Sequence, residues 1–302
     1  MLRTQILLAC FFVMFMGCDT AQRRTVTTND PAAPALQEYV CYRLAGQISI
    51  DGKLDEAAWR SVPRSHVFGD IATGAAPRYA VHAKLAWDND YLYVAYSIDD
   101  PNVWADCVTR DAMMYTHGHN ECFVKLFMDP DGDGGNYLEI HVNPLNNVLD
   151  CYFDYSISNR CRKIMGLPAE LDRRKNYHPE WDCSGMKTMV SVNGTLNDPG
   201  DIDVGWVVEM ALPWSSLARF AEELNCPPSE GDSWQIHLAR RYHGSRDATD
   251  VSYWTWPRVG EVNCHRIDTW GRLVFKGGRN ASSRLRLRLE ADSARQAIIA
   301  VE

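Results

Sequence analysis

The chain has 302 residues, 46% of them hydrophobic and 23% charged, with a net charge of −8 at pH 7. That length and apolar share suit one large domain with a substantial core. The acidic balance argues against nucleic acid as a partner, because nucleic-acid binding demands basic patches that replace counterions.

The chain opens MLRTQILLACFFVMFMGC. Arg3 gives a short positive start, Ile6 to Met16 is an apolar run too short to span a bilayer comfortably, and Gly17 precedes Cys18. Such a segment reads as an export signal, not a transmembrane helix. Cys18 resembles the cysteine of a bacterial lipobox, whose thiol is lipidated as the signal is removed. Phe15 and Met16 depart from the usual residues there, and an ordinary signal peptide cut after Cys18 is the other reading. A diacyl anchor would hold the protein to a membrane through buried methylenes at about 0.8 kcal/mol each. The expected organisation is a signal at 1–18, a linker at 19–36, a folded domain at 37–278 and a charged tail at 279–302. The linker carries Thr, Asp, Pro and Ala without an apolar period. The expected location is therefore the cell envelope, with the protein exported and lipid-anchored.

Along the domain, His82–Trp87, Tyr91–Ile98, Glu121–Asp129, Tyr137–Asn143 and Val204–Leu212 alternate or run apolar with β-branched and aromatic residues, which predicts strands. Asp88-Asn89-Asp90 and the stretch Asp129–Gly135 read as hairpin turns. One helix is predicted over Pro213–Leu224, with Trp214, Leu217, Ala221 and Leu224 at helical spacing. Many strands and a single helix imply an all-β sandwich. Trp59, Trp87, Trp206, Trp214 and Trp234 lie on apolar faces and are expected in the core. Beyond Cys10 and Cys18, eight cysteines remain, an even number that permits disulfides in an exported chain; Cys151 with Cys161 would close a short loop. The absence of a CxxC pair argues against structural zinc.

Asp129, Asp131 and Asp133 alternate with Pro and Gly like the start of a calcium loop, but Ile140 occupies the twelfth position where an EF-hand has Glu. A looser calcium site or a plain acidic turn remains. No GxSxG elbow, HExxH helix or phosphate loop is present, and no motif pairs the carboxylates as glycoside hydrolysis needs, so no catalytic residues are assigned.

Several segments, in order, resemble the family 9 carbohydrate-binding modules and their relatives. They are Ile50–Trp59 (IDGKLDEAAW), Leu85–Val94 (LAWDNDYLYV), Asn120-Glu121 with the strand to Asp131, Tyr137–Pro144 (YLEIHVNP), Gly205–Trp214 (GWVVEMALPW) and Trp270–Phe275 (WGRLVF). The resemblance covers roughly residues 45–276. It implies a jelly-roll-like antiparallel β-sandwich that binds carbohydrate, with structural calcium in some members. Sugars are held by flat aromatic faces with polar groups fixing the hydroxyls.

Matched residue by residue, Tyr115 falls at the family's first aromatic wall and Glu121 at its carboxylate. His141 stands in place of an Arg, and His237 in place of a Gln. Near the second wall stand Cys264 and His265, and Trp254 or Trp256 would compensate. Trp104 and Arg110, in the loop of Tyr115, and His265 are secondary contacts; Arg110-Asp111 is equally a structural ion pair. The expected partners are an oligo- or polysaccharide, the membrane through Cys18, and glycoside hydrolases acting alongside. The same sandwich also occurs in haem-binding electron carriers. The alternative is therefore haem or a transition metal held by His117, His119, His141, His237 and His265, with Met113 or Met114 as an axial ligand; no CxxCH motif for covalent haem is present.

Overall fold

A computed structural model describes residues 36–114, 121–154, 176–222, 224–244 and 251–278. Cys18, Tyr115, His117, His119, Cys161 and the charged tail lie outside the described residues. The described strands are β1 (Glu38–Arg43), β2 (Gly69–Asp70), β3 (Val81–Trp87), β4 (Tyr91–Asp99), β5 (Phe123–Asp129), β6 (Asn136–Val142), β7 (Val148–Asp154), β8 (Asn176–His178), β9 (Lys187–Asn193), β10 (Gly205–Pro213), β11 (Ser233–His243), β12 (Val251–Trp256) and β13 (Gly271–Lys276). Two short helices accompany them, α1 (Ala57–Ser61) and α2 (Trp214–Ala221).

The strands form one sheet in the order β8-β7-β6-β5-β11-β13-β1-β3-β4-β10-β9, with β12 added to β11 and β2 to β12. β1 runs parallel to both β13 and β3, and the other pairs are antiparallel. Leu85, Val94 and Val208 from one half of the sheet share a single buried cluster with Leu126, Ile140 and Leu238 from the other. The sheet therefore curls so that its inner face encloses one core, which is the sandwich expected from the sequence. Each such side chain contributes roughly 1.5–3 kcal/mol when fully buried.

Polar ties join the halves across this core. The Tyr96 hydroxyl donates to the Lys125 carbonyl at 2.8 Å. Arg240 Nη2 donates to Asp100 Oδ2 at 2.5 Å, with both side chains fully buried. At the start of β10, Gly205 has φ of 145°, and a Cβ there would lie 1.9 Å from the Ile98 carbonyl oxygen, so the close approach of β10 to β4 requires glycine.

The five tryptophans expected in the core, Trp59, Trp87, Trp206, Trp214 and Trp234, are all buried. The helix is shorter than its sequence pattern: α2 ends at Ala221 because Glu222 takes a left-handed φ of 44°, which leaves Leu224 exposed. The seven described cysteines of the domain are free thiols, and the Cys151–Cys161 pairing falls outside the described residues.

One carboxylate explains the opening motif. Glu209 on β10 accepts the backbone N–H groups of Asp51, Gly52 and Lys53 on Oε2 and the Trp59 indole N–H on Oε1, at 2.6–3.2 Å. Four donors thus fix the segment before α1 onto the outer surface of β10.

Candidate functional site

Strand alternation gives the sheet a second, outward face. On β5 the core takes Val124, Leu126 and Met128, so Phe123, Lys125 and Phe127 point the other way; on β6 Tyr137, Glu139 and His141 do the same. Register places His237 of β11 opposite Phe127, and Phe153 of β7 opposite Tyr137. This face is covered too. A second cluster of Ile71, Phe127, Tyr137, Ala239, Val259, Cys264 and Trp270 lies over it.

Under that cover sits a charged floor. Glu139 is 4% and Lys125 7% exposed, and Lys125 Nζ lies 3.0 Å from Glu139 Oε1. His141 Nε2 reaches the same oxygen at 2.5 Å, and the His141 ring stacks on Phe123 at 4.9 Å. Lys125 Nζ also lies over the rings of Phe123 and Phe127 at 5.6 and 5.4 Å, a cation–π contact with each. Burial opposes ionisation of Glu139, but Lys125 and the neighbouring imidazoles outweigh it and hold the carboxyl well below its usual range. Burial, with Lys125 beside it, lowers His141 to about 4. His237 is fully buried, stacks on Trp270 at 6.0 Å, and has no hydrogen-bond partner on either ring nitrogen among the described residues. Burial, followed by the proximity of His265 and Lys125, lowers it to about 3.

His265 lies at the partly exposed edge of this floor. Its Nδ1 meets the Tyr137 hydroxyl at 2.7 Å, its Nε2 lies 4.0 Å from Glu139 Oε2, and its side chain is 29% exposed. Beside it, Tyr137, Phe153 and Tyr177 stack across β6, β7 and β8 with centroids 5.1 and 5.3 Å apart.

The structure brings His141, His237 and His265 onto this one face and separates other expected residues from it. Trp254 and Trp256 do not form a wall here. They pair with Arg240 and Leu238, whose side chains point inward, and they are 4% and 2% exposed within the main core. Trp104 belongs to the same core.

Glu121 is buried, with its oxygens taken by the chain itself: Oε1 accepts the backbone N–H groups of Asp106 and Cys107, and Oε2 accepts Asn143 Nδ2 at 2.7 Å. Its role in this structure is to close the 106–107 loop. Arg110 bonds to Asp150 at 2.5 Å and to Asp182 at 2.9 Å and lies 3.6 Å from Asp111, an ion-pair hub. Lys125 and Glu139 were missed by sequence reasoning, although a charge in the middle of each of two largely apolar strands marks them.

Two groups of three ligating side chains are close enough to hold a metal among the described residues, and both are carboxylate trios: Asp111–Asp150–Asp182, which share the single cation of Arg110, and Asp129–Asp131–Asp133. No three imidazole or thiol ligands gather in this way among the described residues, and Met114 is buried in a separate apolar cluster. His117 and His119 of the expected haem or transition-metal set lie outside the described residues. Asp129 is fully buried and its pKa is raised well above the carboxylate range by burial and by Asp131; the N–H groups of Gly132 and Gly134 donate to it at 3.1 and 2.9 Å.

Comparison with known proteins bears on the family and the fold. Residues 50–144 match the family described as carbohydrate family 9 binding domain-like. The resemblance read from the motifs therefore holds. The fold is similar to that of a candidate carbohydrate-binding protein from Bacteroides uniformis ATCC 8492, at 13% identity and a TM-score of 0.56, over 80% of this chain and all of the other. It is also similar to a family 9 carbohydrate-binding module from Caldicellulosiruptor kristjanssonii. The structure of that module with cellotriose shares 17% identity and a TM-score of 0.51 over 81% of this chain and 96% of the other. The structure with glucose shares 18% identity and a TM-score of 0.50 over 80% and 98%. No curated protein matches the chain.

The two depressed histidines set a pH dependence. An ordinary histidine titrates near 6.5 in the unfolded chain, so below that pH the unfolded state takes up protons that buried His141 and His237 refuse. Stability should fall as pH drops from 7 to 5, by roughly 2 kcal/mol for each histidine. Urea unfolding of the wild type and of His237→Phe at both pH values checks this. The variant should lose about half of the histidine-linked slope, and an unchanged slope would show that His237 does not titrate this way.

Proposed function

We propose that the protein captures carbohydrate on the outward face of β5, β6 and β11, without catalytic residues of its own. The observation that carries this reading is the buried polar floor of Lys125, Glu139, His141 and His237 beneath aromatic rings. A face that merely needed covering would be more stable with apolar residues, since burying charge costs several kcal/mol per ion even after relaxation. His237 has two nitrogens with nothing to bond, as a sugar hydroxyl would require. The family match over residues 50–144 and the neighbours seen with cellotriose and glucose support the same ligand class. Tyr115 supplies the aromatic wall in this reading, and His265 gates the mouth. Binding requires the cover at Cys264–Trp270 to shift, because His237 is fully buried beneath it.

Isothermal titration with glucose and cello-oligosaccharides tests the reading. His237→Ala and Glu139→Gln, checked for folding by circular dichroism, should each weaken binding about tenfold, the size of one lost hydrogen bond to a buried group. Tyr115→Ala should cost about 1–3 kcal/mol. Unchanged affinity in all three variants would move the site elsewhere.

The reading further places the chain in the cell envelope, lipidated at Cys18 and acting beside glycoside hydrolases. The signal-like residues 1–18 support this. Wild-type protein should partition into the detergent phase and Cys18→Ser into the aqueous phase; equal partition would remove the anchor. Calcium at Asp129, Asp131 and Asp133 completes the proposal. These carboxylates form an all-oxygen donor set suited to a hard cation, and one member is a buried carboxylate with no cation beside it. Chelation should lower the melting temperature of wild type and leave Asp129→Asn unmoved, whereas no shift in wild type would exclude a structural ion.

A further inference from the structure

The opposite outward face, on β3, β4, β10 and β9, carries a cleft that the proposed carbohydrate site does not use. Alternation and register set a row across these strands: Ala86, Tyr93, Ala211 and Lys187 are successive neighbours. The segment pinned by Glu209 passes over this face. Between its Ile48–Ile50 stretch and the row lies a cleft of about 660 Å³, floored by Ala211 and edged by Tyr91, Lys187 and Thr188. That volume lies in the range of ligand pockets, roughly 300–1,000 Å³.

The chemistry of the walls is specific. Tyr91 and Tyr93 stand 5.9 Å apart at 49°, giving an angled aromatic wall. Lys187 Nζ lies 4.7 Å from the Tyr91 ring centroid and makes no ion pair with any described carboxylate. Two acids of this face are already supplied with donors. Asp88 takes the Tyr93 hydroxyl at 2.8 Å and the N–H groups of Asp90 and Tyr91, and Glu209 takes its four. A cation beside an aromatic face is locally complementary to an anion that also offers an apolar surface. Ser49 and Thr188 contribute polar lining beside Ile50, which suits a hydroxylated ring better than a hydrocarbon one.

We propose that this cleft is a second saccharide site, selective for a carboxylated sugar such as a hexuronate unit. The carboxylate pairs with Lys187 while the ring packs on Tyr91. The site is independent of the floor around Glu139, since the two lie on different strands and opposite ends of the sheet order.

Titration of the full chain with trigalacturonate and with cellotriose, at low and at high salt, tests it. Trigalacturonate should bind, more weakly at high salt. Lys187→Gln and Tyr91→Ala should each weaken it about three- to tenfold and leave cellotriose unaffected. His237→Ala should leave trigalacturonate binding intact. Lys187 is exposed, so its variant keeps the fold and provides the decisive arm. No trigalacturonate binding, or binding lost in His237→Ala and retained in Lys187→Gln, would overturn the second site. Failure of cellotriose binding alone would count against the first face only.

Discussion

Glu139 carries an ionised carboxylate into a position with almost no access to water, and the arrangement of the surrounding strands answers to that charge. Lys125 neutralises it at 3.0 Å, His141 bonds to the same oxygen, and the rings of Phe123 and Phe127 flank the ammonium group. A buried ion left alone costs several kcal/mol, so the pair is stable only when both members share one face. Sliding β5 by one residue against β6 would drive Lys125 into the core and strand Glu139. The polar pair therefore acts with the apolar alternation of Val124, Leu126 and Met128 to hold a single register.

The same logic operates at the other end of the sheet, where Glu209 is buried and satisfied by a passing backbone instead of a lysine. Its four donors come from a segment about 150 residues earlier in the chain. The Asp-Gly turn of that segment and its Trp59 are thus a partner for one carboxylate of β10. Two motifs that look unrelated along the chain are two sides of one contact. Both outward faces of the curled sheet end up covered, and each cover leaves a polar feature next to aromatic rings.

In the proposed reading this architecture serves adhesion and not chemistry. Aromatic rings and buried polar groups recur on both outward faces, whereas the carboxylate trios among the described residues either share the one cation of Arg110 or are gathered in the Asp129–Asp133 turn. A binding module needs fixed donors and acceptors under an apolar wall, and a rigid sheet supplies them without moving parts of its own. The mobile requirement falls on the cover of Cys264–Trp270, which lies over His237.

The sequence by itself determined the strand character of β3, β4, β5, β6 and β10, the core role of five tryptophans, and the family order of motifs, because period-two alternation and turn chemistry are local. The acidic turn Asp129–Asp133 was equally visible, since its ligands are contiguous. Tertiary structure alone decided which way each face points. The alternation of Trp254 and Trp256 shows that they share a side, but only their pairing with Arg240 and Leu238 puts that side in the core. Glu121 likewise reads as a free carboxylate until Asp106, Cys107 and Asn143 close around it. β9 and β11 escaped notice because one is an edge strand with half-exposed residues and the other mixes His237, Arg240 and Arg241 into an apolar run. Parity along a strand is written in the residues; which parity is buried depends on partners far away in the chain.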